Sequence, residues 1–300
     1  METVGFIGLG RMGSAMAGNI QKAGYPMVVH DVREAATMPL LQGGAQLVSS
    51  PAEVGRRSEV IFTSLPRPED VEAVTTRPEG LLEGIQEGSV YLDLSTCGPD
   101  LVRRLEPMFR QKGAYVIDAP VLSSPTRAVT RSLIVMVGGE REVYERIQPM
   151  LEAFADKVIY AGSLGSGCIC KLVHNMMSFA MGQVVAEGLT LGVKAGVELE
   201  ALVESGSRGL LGSRQELLAQ TVFQGQFEPP SFTLSLSRKD VGLATELGRQ
   251  TNVPMPVANL VEQLLVQGIN QGWAEQDYTV AFRLQEAMAG VQVRAPNSGG

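Results

Sequence analysis

The first half of the chain alternates short apolar runs with helical patterns, and this alternation restricts the fold more than any other feature. Between most of the runs lie segments with apolar residues at three- and four-residue spacing, such as 12–24 and 99–113. Strands that alternate with helices are typical of a doubly wound parallel sheet of the Rossmann kind. The predicted strands are residues 4–8, 27–30, 60–65, 89–94, 114–120, 133–139 and 158–162.

The pattern changes after Gly167, where strand-like runs stop. Residues 168–195 are predicted to form one long helix, and the linker AGSLGSG at 161–167 precedes it. The sequence therefore predicts an α/β domain over residues 1–163, followed by an all-helical domain over 164–300. Further helices are predicted at residues 198–205, 213–222, 238–250, 256–271 and 276–289.

Composition and charge exclude several classes of function. The 300 residues carry a formal net charge of −7, which argues against nucleic-acid binding because that needs a basic face. Polar residues interrupt the most apolar stretch, 172–193, so we expect no membrane span. Three cysteines and no visible signal peptide favour a reducing, cytoplasmic location. The spacing of Cys168 and Cys170 is not that of a metal-binding pair, so no metal is expected.

A glycine-rich loop follows the first predicted strand. Gly8, Gly10 and Gly13 form the pattern G-x-G-x-x-G, with a strand before it, a helix after it and a second strand next. Gly8 permits a tight turn, Gly10 lets the backbone approach a pyrophosphate, and Gly13 lets the helix pack closely on the sheet. The N–H groups around Arg11 and Met12 then face the phosphates at the positive helix end. The alternative is a tight turn that binds no ligand.

The second predicted strand ends next to an acid and a base that bear on the choice of cofactor. Asp31 lies at about the spacing of the acid that accepts hydrogen bonds from the adenosine ribose hydroxyls. A carboxylate there repels a 2′-phosphate, so NAD is favoured over NADP. Arg33 is placed to reach such a phosphate, which leaves NADP open. An N-cap role for Asp31 in the next helix is a further possibility.

One lysine stands among neutral and apolar residues at the start of the long helix. Lys171 and Asn175 are four residues apart and so share a helix face, with His174 close to it. A lysine beside a bound cofactor loses solvation, and its pKa then falls toward neutrality. Such a lysine exchanges a proton with a substrate hydroxyl during hydride transfer. The spacing alone is equally compatible with a lysine that extends from an interdomain helix into solvent.

Five motifs in order resemble the β-hydroxyacid dehydrogenase family, over almost the whole chain. They are GFIGLGRMGSAMAGNI at 5–20, DLST at 93–96, DAPVLSSPTRA at 118–128, GSGCICKLVHN at 165–175 and RKDVGLA at 238–244. The resemblance implies a Rossmann domain, a long helix and a helical domain like that of 6-phosphogluconate dehydrogenase. It also implies an oxidoreductase that uses NAD or NADP on a small, anionic molecule, in a homodimer or homotetramer.

The resemblance also implies roles for single residues. Lys171 is the catalytic proton carrier and Asn175 orients the reacting oxygen. Thr96 approaches the nicotinamide and the substrate, and Lys239 lies near the nicotinamide ribose or the substrate. Leu65 and Pro66 line the cofactor site with their backbone.

Two departures from the family pattern concern the substrate. The family motif reads D-A-P-V-S-G-G, whereas this chain has Leu122, Ser123 and Ser124 at its end. The Leu122 side chain donates no hydrogen bond, so backbone N–H groups, a shifted hydroxyl or Arg127 are the alternatives for holding an acid group. His174 replaces the first asparagine of the N-N pair, either as a proton relay or as a packing residue.

Two other functions remain open at this stage. Imine reductases share the architecture but usually carry aspartate or tyrosine at the position of Lys171, and imine substrates need no carboxylate clamp. A non-catalytic dinucleotide-binding scaffold is the third reading, because a fold alone does not settle function. The retained Lys171 favours the dehydrogenase reading over both.

Overall fold

The computed structural model describes residues 1–122 and 125–295. It divides into two compact units, of which the first comprises residues 1–172 and the second begins at Val173. The domain boundary expected between residues 163 and 164 remains a prediction. Each unit is described separately below.

The first unit is built on one mixed sheet. In the described part of the chain this sheet has nine strands: β1 (Val4–Ile7), β2 (Met27–His30), β3 (Gln46–Leu47), β4 (Val60–Thr63), β5 (Val90–Asp93), β6 (Tyr115–Asp118), β7 (Val121–Leu122), β8 (Leu133–Gly138) and β9 (Ala155–Gly162). Their spatial order is β3-β2-β1-β4-β5-β6-β8-β7, and β9 pairs with β8. The run β3-β2-β1-β4-β5-β6 is parallel and has the strand order of a dinucleotide-binding fold.

The predicted parallel sheet is confirmed, and the structure adds an edge that the apolar pattern does not reveal. β8 runs antiparallel to β6 and β7, and β9 runs parallel to β8. β3 and β7 have two residues each, too few to show an apolar period. Several strands end before their predicted limits; β1 ends at Ile7 because Gly8 has a φ of +90°, outside the extended region.

Helices cover both faces of this sheet because successive residues of a strand point to opposite faces, and in the buried strands both sets are largely apolar. One buried cluster includes Phe6 and Phe62, and the other includes Ile61 and Tyr91. Tyr91 stacks on Phe109, with ring centroids 4.8 Å apart. The helices of this unit are α1 (Arg11–Lys22), α2 (Met38–Gln42), α3 (Pro51–Arg56), α4 (Pro68–Thr76), α5 (Leu81–Gly84), α6 (Pro99–Arg110), α7 (Pro125–Val129) and α8 (Arg141–Glu152).

The predicted long helix is present as α9 (Ser166–Lys194), which begins in the first unit and continues into the second. By length and composition alone α9 resembles a membrane-spanning helix, and 33% of its apolar window is buried. Core helices of soluble proteins have the same length and composition, so this likeness is weak evidence for a span.

The regular secondary structure in the described part of the second unit is helical, as predicted, apart from an isolated β-bridge between Thr233 and Asp277. After α9 it contains α10 (Leu199–Gly206), α11 (Gln215–Gln220), α12 (Leu234–Gln250), α13 (Pro256–Asn270) and α14 (Phe282–Ala289). α12 begins four residues before its predicted start, because the Thr233 hydroxyl caps it by accepting the Leu236 N–H at 3.3 Å. The predicted helix 276–289 is split into a 3₁₀ turn, Tyr278–Ala281, and α14.

Candidate functional site

The three glycines of the N-terminal loop differ in the space around them. A Cβ on Gly13 would lie 2.0 Å from the Gly8 carbonyl oxygen, so this contact between helix and loop requires glycine. Gly8 has a φ of +90°, which also favours glycine. A Cβ on Gly10 would meet only the Arg33 Nη2 within 4 Å among the described residues, at 3.9 Å. The backbone at Gly10 is therefore open to a ligand, as the fit of a pyrophosphate requires.

Helix α1 presents its N-terminus at this opening. Gly10 is the N-cap, its conformation is extended, and no acidic residue lies in the first turn. The first N–H groups of a helix have no partner within it, and the helix dipole is positive at that end. Arg11 is exposed and Met12 is half-buried in this turn. The loop thus has the shape and the polarity of a phosphate-binding turn.

Asp31 and Arg33 lie beside the same loop. The Asp31 carboxylate accepts the Leu9 N–H at 2.6 Å and the Arg33 N–H at 2.8 Å. The Arg33 Nε is 3.6 Å from the Asp31 carboxylate, and the arginine side chain is 68% exposed. Asp31 does not cap the next helical turn, Glu34–Ala36, whose N-cap is Arg33. The acid thus joins the end of β2 to the glycine loop, and both charges lie at the predicted cofactor side.

The carboxyl ends of β4 and β5 are joined by a buried acid that the sequence did not single out. Asp93 Oδ1 accepts the Thr63 hydroxyl at 2.9 Å and the Ser95 N–H at 3.0 Å. The Ser95 hydroxyl in turn accepts the Leu65 N–H at 2.9 Å. These bonds fix the backbone of the turns that carry Leu65 and Thr96, both partly exposed. The signal was available, since Asp93 directly precedes the end of an apolar strand.

The environment of Asp93 also perturbs its protonation. Burial raises the pKa of the carboxyl above its ordinary value, and the bonds from Ser95, Thr63 and the Cys97 thiol oppose that shift. The neighbouring Tyr91 hydroxyl contacts Thr63 at 3.0 Å. Its pKa is raised well above the ordinary value, first by burial and then by Asp93.

The structure describes only part of the segment 122–124, which departs from the family pattern. Leu122 lies in β7, is partly exposed, and pairs with Ile134 of β8. Ser123 and Ser124 lie outside the described residues. Arg127 lies in α7 and is exposed.

Lys171 lies in α9 and is partly exposed. His174 is exposed, and the choice between a proton relay and a packing residue remains a prediction. Cys168 is buried and Cys170 is exposed. No cluster of three or more His, Cys, Asp or Glu that fits a metal ion occurs among the residues that the structure describes.

In the second unit, one buried carboxylate joins two of the predicted site residues. The Asn175 Nδ2 donates to the Asp240 Oδ2 at 2.6 Å, and Lys239 Nζ lies 3.1 Å from the Asp240 Oδ1. The Lys239 side chain is 20% exposed and that of Asp240 is fully buried. Both residues lie beyond the first turn of α12, because α12 begins five residues before Lys239. The predicted residue set omitted Asp240, although its position after Lys239 in the K-D motif was a signal.

Comparison with known proteins places these features in a family. Residues 3–162 match the model of the NAD-binding domain of 6-phosphogluconate dehydrogenase. Residues 165–285 match the NAD-binding model of NADP-dependent 3-hydroxyisobutyrate dehydrogenase. The chain belongs to the β-hydroxyacid dehydrogenase family.

Relatives in this family align over nearly their whole length. The chain is 33% identical to 2-(hydroxymethyl)glutarate dehydrogenase of Eubacterium barkeri, with 97% of each chain covered. It is 32% identical to the NAD-dependent L-serine dehydrogenase of Pseudomonas aeruginosa, over 97% of this chain and 100% of the relative. It is 31% identical to 3-sulfolactaldehyde reductase of Escherichia coli, over 98% and 99%.

A solved structure supports the same assignment. The 3-hydroxyisobutyrate dehydrogenase of Mycobacterium tuberculosis with L-serine has a TM-score of 0.85 and 25% identity, covering 95% of this chain and 99% of that one. The imine reductase of Myxococcus stipitatus with NADP⁺ has a TM-score of 0.63 at 19% identity, with coverages of 94% and 99%, and so shows the fold alone.

As a member of this family, the protein is an NAD(P)-dependent dehydrogenase or reductase that acts on CH–OH groups. The open backbone at Gly10 and the positive end of α1 fit the dinucleotide. NAD is the expected cofactor, and NADP remains possible.

Proposed function

We propose that the protein interconverts a small β-hydroxyacid and the corresponding semialdehyde, with NAD as the preferred cofactor. Lys171 is the general acid and base, and Asn175 orients the reacting oxygen. Thr96, Lys239 and the segment that begins at Leu122 bind the substrate. His174 is a candidate for a proton relay beside Lys171.

The proposed reaction assigns separate tasks to the cofactor and to the chain. When bound, the nicotinamide exchanges a hydride with the substrate carbon that bears the hydroxyl. In oxidation, that C–H bond gives up the hydride while Lys171 takes the hydroxyl proton, so a carbonyl forms. In reduction, Lys171 returns the proton, and protonated Lys171 also stabilises the charge that develops on the oxygen. Asn175 holds that oxygen in register.

The single observation that carries this proposal is the contact among Asn175, Asp240 and Lys239. These residues belong to two motifs more than sixty positions apart, K-x-x-x-N and K-D, yet one buried carboxylate binds both. A buried carboxylate retains its charge at low cost only when it is paired and hydrogen-bonded. Such an arrangement fixes an amide and an ammonium group for contact with a ligand.

The names of the relatives indicate the substrate class. They act on 2-(hydroxymethyl)glutarate, L-serine and 3-sulfolactaldehyde, all small molecules with an acid group. We propose that this chain also takes a small anionic substrate. Leu122 removes the serine hydroxyl of the usual motif, so we expect its preference to differ from that of enzymes with D-A-P-V-S-G-G.

Asp31 supports the preference for NAD. Its carboxylate lies between the glycine loop and Arg33, where it repels a 2′-phosphate. Arg33 is 68% exposed and partly neutralised by Asp31, which reduces its attraction for that phosphate.

We also propose a homodimer or homotetramer in the cytoplasm, without nucleic-acid or membrane partners. Apolar side chains on α9 in the second unit support self-association: Val173 is 43% exposed, Met177 54%, Val184 56% and Leu191 71%. The seven-residue spacing of the last three places them along one helix face. All three cysteines are free thiols, which agrees with a reducing compartment.

A substrate panel with both cofactors tests the proposal. It contains semialdehydes, β-hydroxyacids, sulfonated analogues and cyclic imines, and the readout is the absorbance of NADH or NADPH. We expect turnover of at least one semialdehyde or hydroxyacid with NAD(H). Turnover of imines alone would favour the imine reductase, and binding of NADH without turnover of any compound would favour a scaffold.

A further inference from the structure

The buried carboxylate of Asp118 binds the start of α9 at two points. Its Oδ1 accepts the Gly165 N–H at 2.6 Å and its Oδ2 accepts the Cys168 N–H at 2.7 Å. Asp118 is the last residue of β6 and is fully buried. The carboxylate thus bonds the helix start to the centre of the sheet, with both oxygens engaged.

The surrounding backbone is shaped to hold this carboxylate. A Cβ on Gly138 would lie 2.4 Å from the Asp118 Oδ1 and 2.8 Å from the Ser166 nitrogen. A Cβ on Gly167 would lie 2.9 Å from the Asp118 Oδ2 and 2.3 Å from the Met136 carbonyl oxygen. Two glycines, one from β8 and one from α9, therefore allow the strand and the helix to close around the acid.

The electrostatics of this contact favour a fixed geometry. A carboxylate that accepts N–H groups at a helix N-terminus forms charge-assisted hydrogen bonds and faces the positive end of the helix dipole. Burial raises the pKa of Asp118, and the N–H groups of Gly165 and Cys168 oppose that shift. The Cys168 thiol also contacts this acid, and burial raises the pKa of the thiol well above its ordinary value.

Lys171 follows Cys168 by three residues, and so lies about one turn further along the same face of α9. Any shift or rotation of the helix start moves the lysine with it, since both lie in the first unit. We propose that Asp118 is a positioning residue that sets the location of the Lys171 ammonium group. This inference rests on the proposed role of Lys171.

A double-mutant cycle tests whether Asp118 acts through Lys171. Asp118→Asn keeps the size of the side chain but replaces one acceptor oxygen with a donor that faces a backbone N–H. We expect kcat to fall about 100-fold, the effect typical of a group displaced by about 1 Å, while the NADH Kd changes less than about 2-fold. In a Lys171→Ala background the same substitution should lower kcat less than about 2-fold further.

Two further variants keep the test decisive. Gly138→Ala inserts a methyl group between Asp118 and the helix start, and it should give the same non-additivity with Lys171→Ala if Asp118→Asn does not fold. Asp100→Asn is the matched control, because Asp100 lies in α6 in an exposed ion pair with Arg104 at 3.1 Å. It should leave kcat within about 2-fold.

The outcomes separate the two proposals. If Lys171→Ala leaves turnover unchanged, the proposed role of Lys171 fails. Suppose that Lys171→Ala lowers kcat, and that adding Asp118→Asn lowers kcat further by the same factor as in the unmodified protein. Only the positioning role of Asp118 is then overturned. If kcat falls equally in Lys171→Ala and in the double variant, while Asp118→Asn alone also lowers kcat, both the role of Lys171 and the positioning role of Asp118 are supported.

Discussion

The Asn175 side-chain amide donates to the fully buried Asp240 carboxylate across 2.6 Å. Lys239, the neighbour of Asp240 in the sequence, lies 3.1 Å from the other carboxylate oxygen. Asp240 therefore determines which groups Asn175 offers to a ligand: its amide oxygen and the second N–H. The charge of Asp240 also holds the Lys239 ammonium group at one place in the second unit.

Asp240→Asn should impair catalysis although Asp240 is not proposed to touch the substrate. The substitution removes the charge that holds Lys239 and weakens the bond to Asn175, and hydrogen bonds to charged groups contribute about 1.5–3 kcal/mol. We expect kcat/KM to fall roughly 10- to 100-fold, measured by steady-state kinetics. Glu246→Gln is the control in the same helix, since Glu246 forms an exposed pair with Arg249. Equal kcat/KM for Asp240→Asn and the control would contradict the role of Asp240.

The glycine loop offers a matched pair of substitutions. Gly10→Ala places a methyl group in open space, so the thermal midpoint should stay within about 2 °C of the original, but NADH binding should weaken at least about 10-fold. Gly13→Ala forces a methyl group to within 2.0 Å of the Gly8 carbonyl oxygen and should lower the midpoint by several degrees. Calorimetry and NADH fluorescence titration measure both. Tight NADH binding by a well-folded Gly10→Ala would show that the cofactor does not approach this glycine.

Cofactor preference should respond in opposite directions to Asp31 and Arg33. Asp31→Asn keeps an acceptor for the Leu9 N–H but removes the negative charge, so the ratio of the NADP to the NAD dissociation constant should fall about 10-fold. Arg33→Ala removes the nearby positive charge and should raise that ratio. Titration with both reduced cofactors at constant ionic strength gives the ratios. If the ratio of the two dissociation constants changed in neither variant, the adenosine ribose would not bind beside Asp31 and Arg33.

The raised pKa of Asp93 predicts a specific pH dependence of stability. Its folded-state pKa exceeds the unfolded value, so its favourable contribution is complete below the unfolded pKa, near 4. That contribution is lost as pH rises through the folded-state pKa. Asp93→Asn removes the titration, so its thermal midpoint should rise relative to that of the unmodified protein as pH increases from about 4 to 7.

The difference in midpoint between the two proteins, measured by circular dichroism across this pH range, checks that prediction. Other effects of the substitution add a constant to the difference in midpoint, and they do not change how that difference varies with pH. A difference that falls with pH would mean that the bonds from Thr63 and Ser95 outweigh burial.

Much of the fold follows from local patterns in the sequence. Buried parallel strands such as Val60–Thr63 are largely apolar runs in the sequence. The length of α9 is also close to that of the helix predicted over residues 168–195. The edge of the sheet does not follow, because Gln46–Leu47 and Val121–Leu122 are too short to carry a period. The antiparallel direction of β8 depends on tertiary pairing.

Some residues of the candidate site also follow from local patterns in the sequence, and others do not. Gly8, Gly10, Gly13 and Lys171 belong to motifs with fixed local spacing, so the sequence predicts them. Asp93, Asp118 and Asp240 each lie in one of the five motifs, but their long-range contacts do not follow from the sequence, because these partners lie 30, 47–50 and 65 positions away. Each is buried by the fold, and burial of a single polar residue leaves no period in the sequence.

The central claim is that Lys171 carries the proton, and Lys171→Ala tests it most directly. With the best substrate from the panel, we expect kcat to fall about 10²- to 10⁴-fold while the NADH Kd changes less than about 2-fold. Lys194→Ala is the control, since Lys194 is exposed in the last turn of the same helix. Turnover of Lys171→Ala equal to that of Lys194→Ala would contradict the claim.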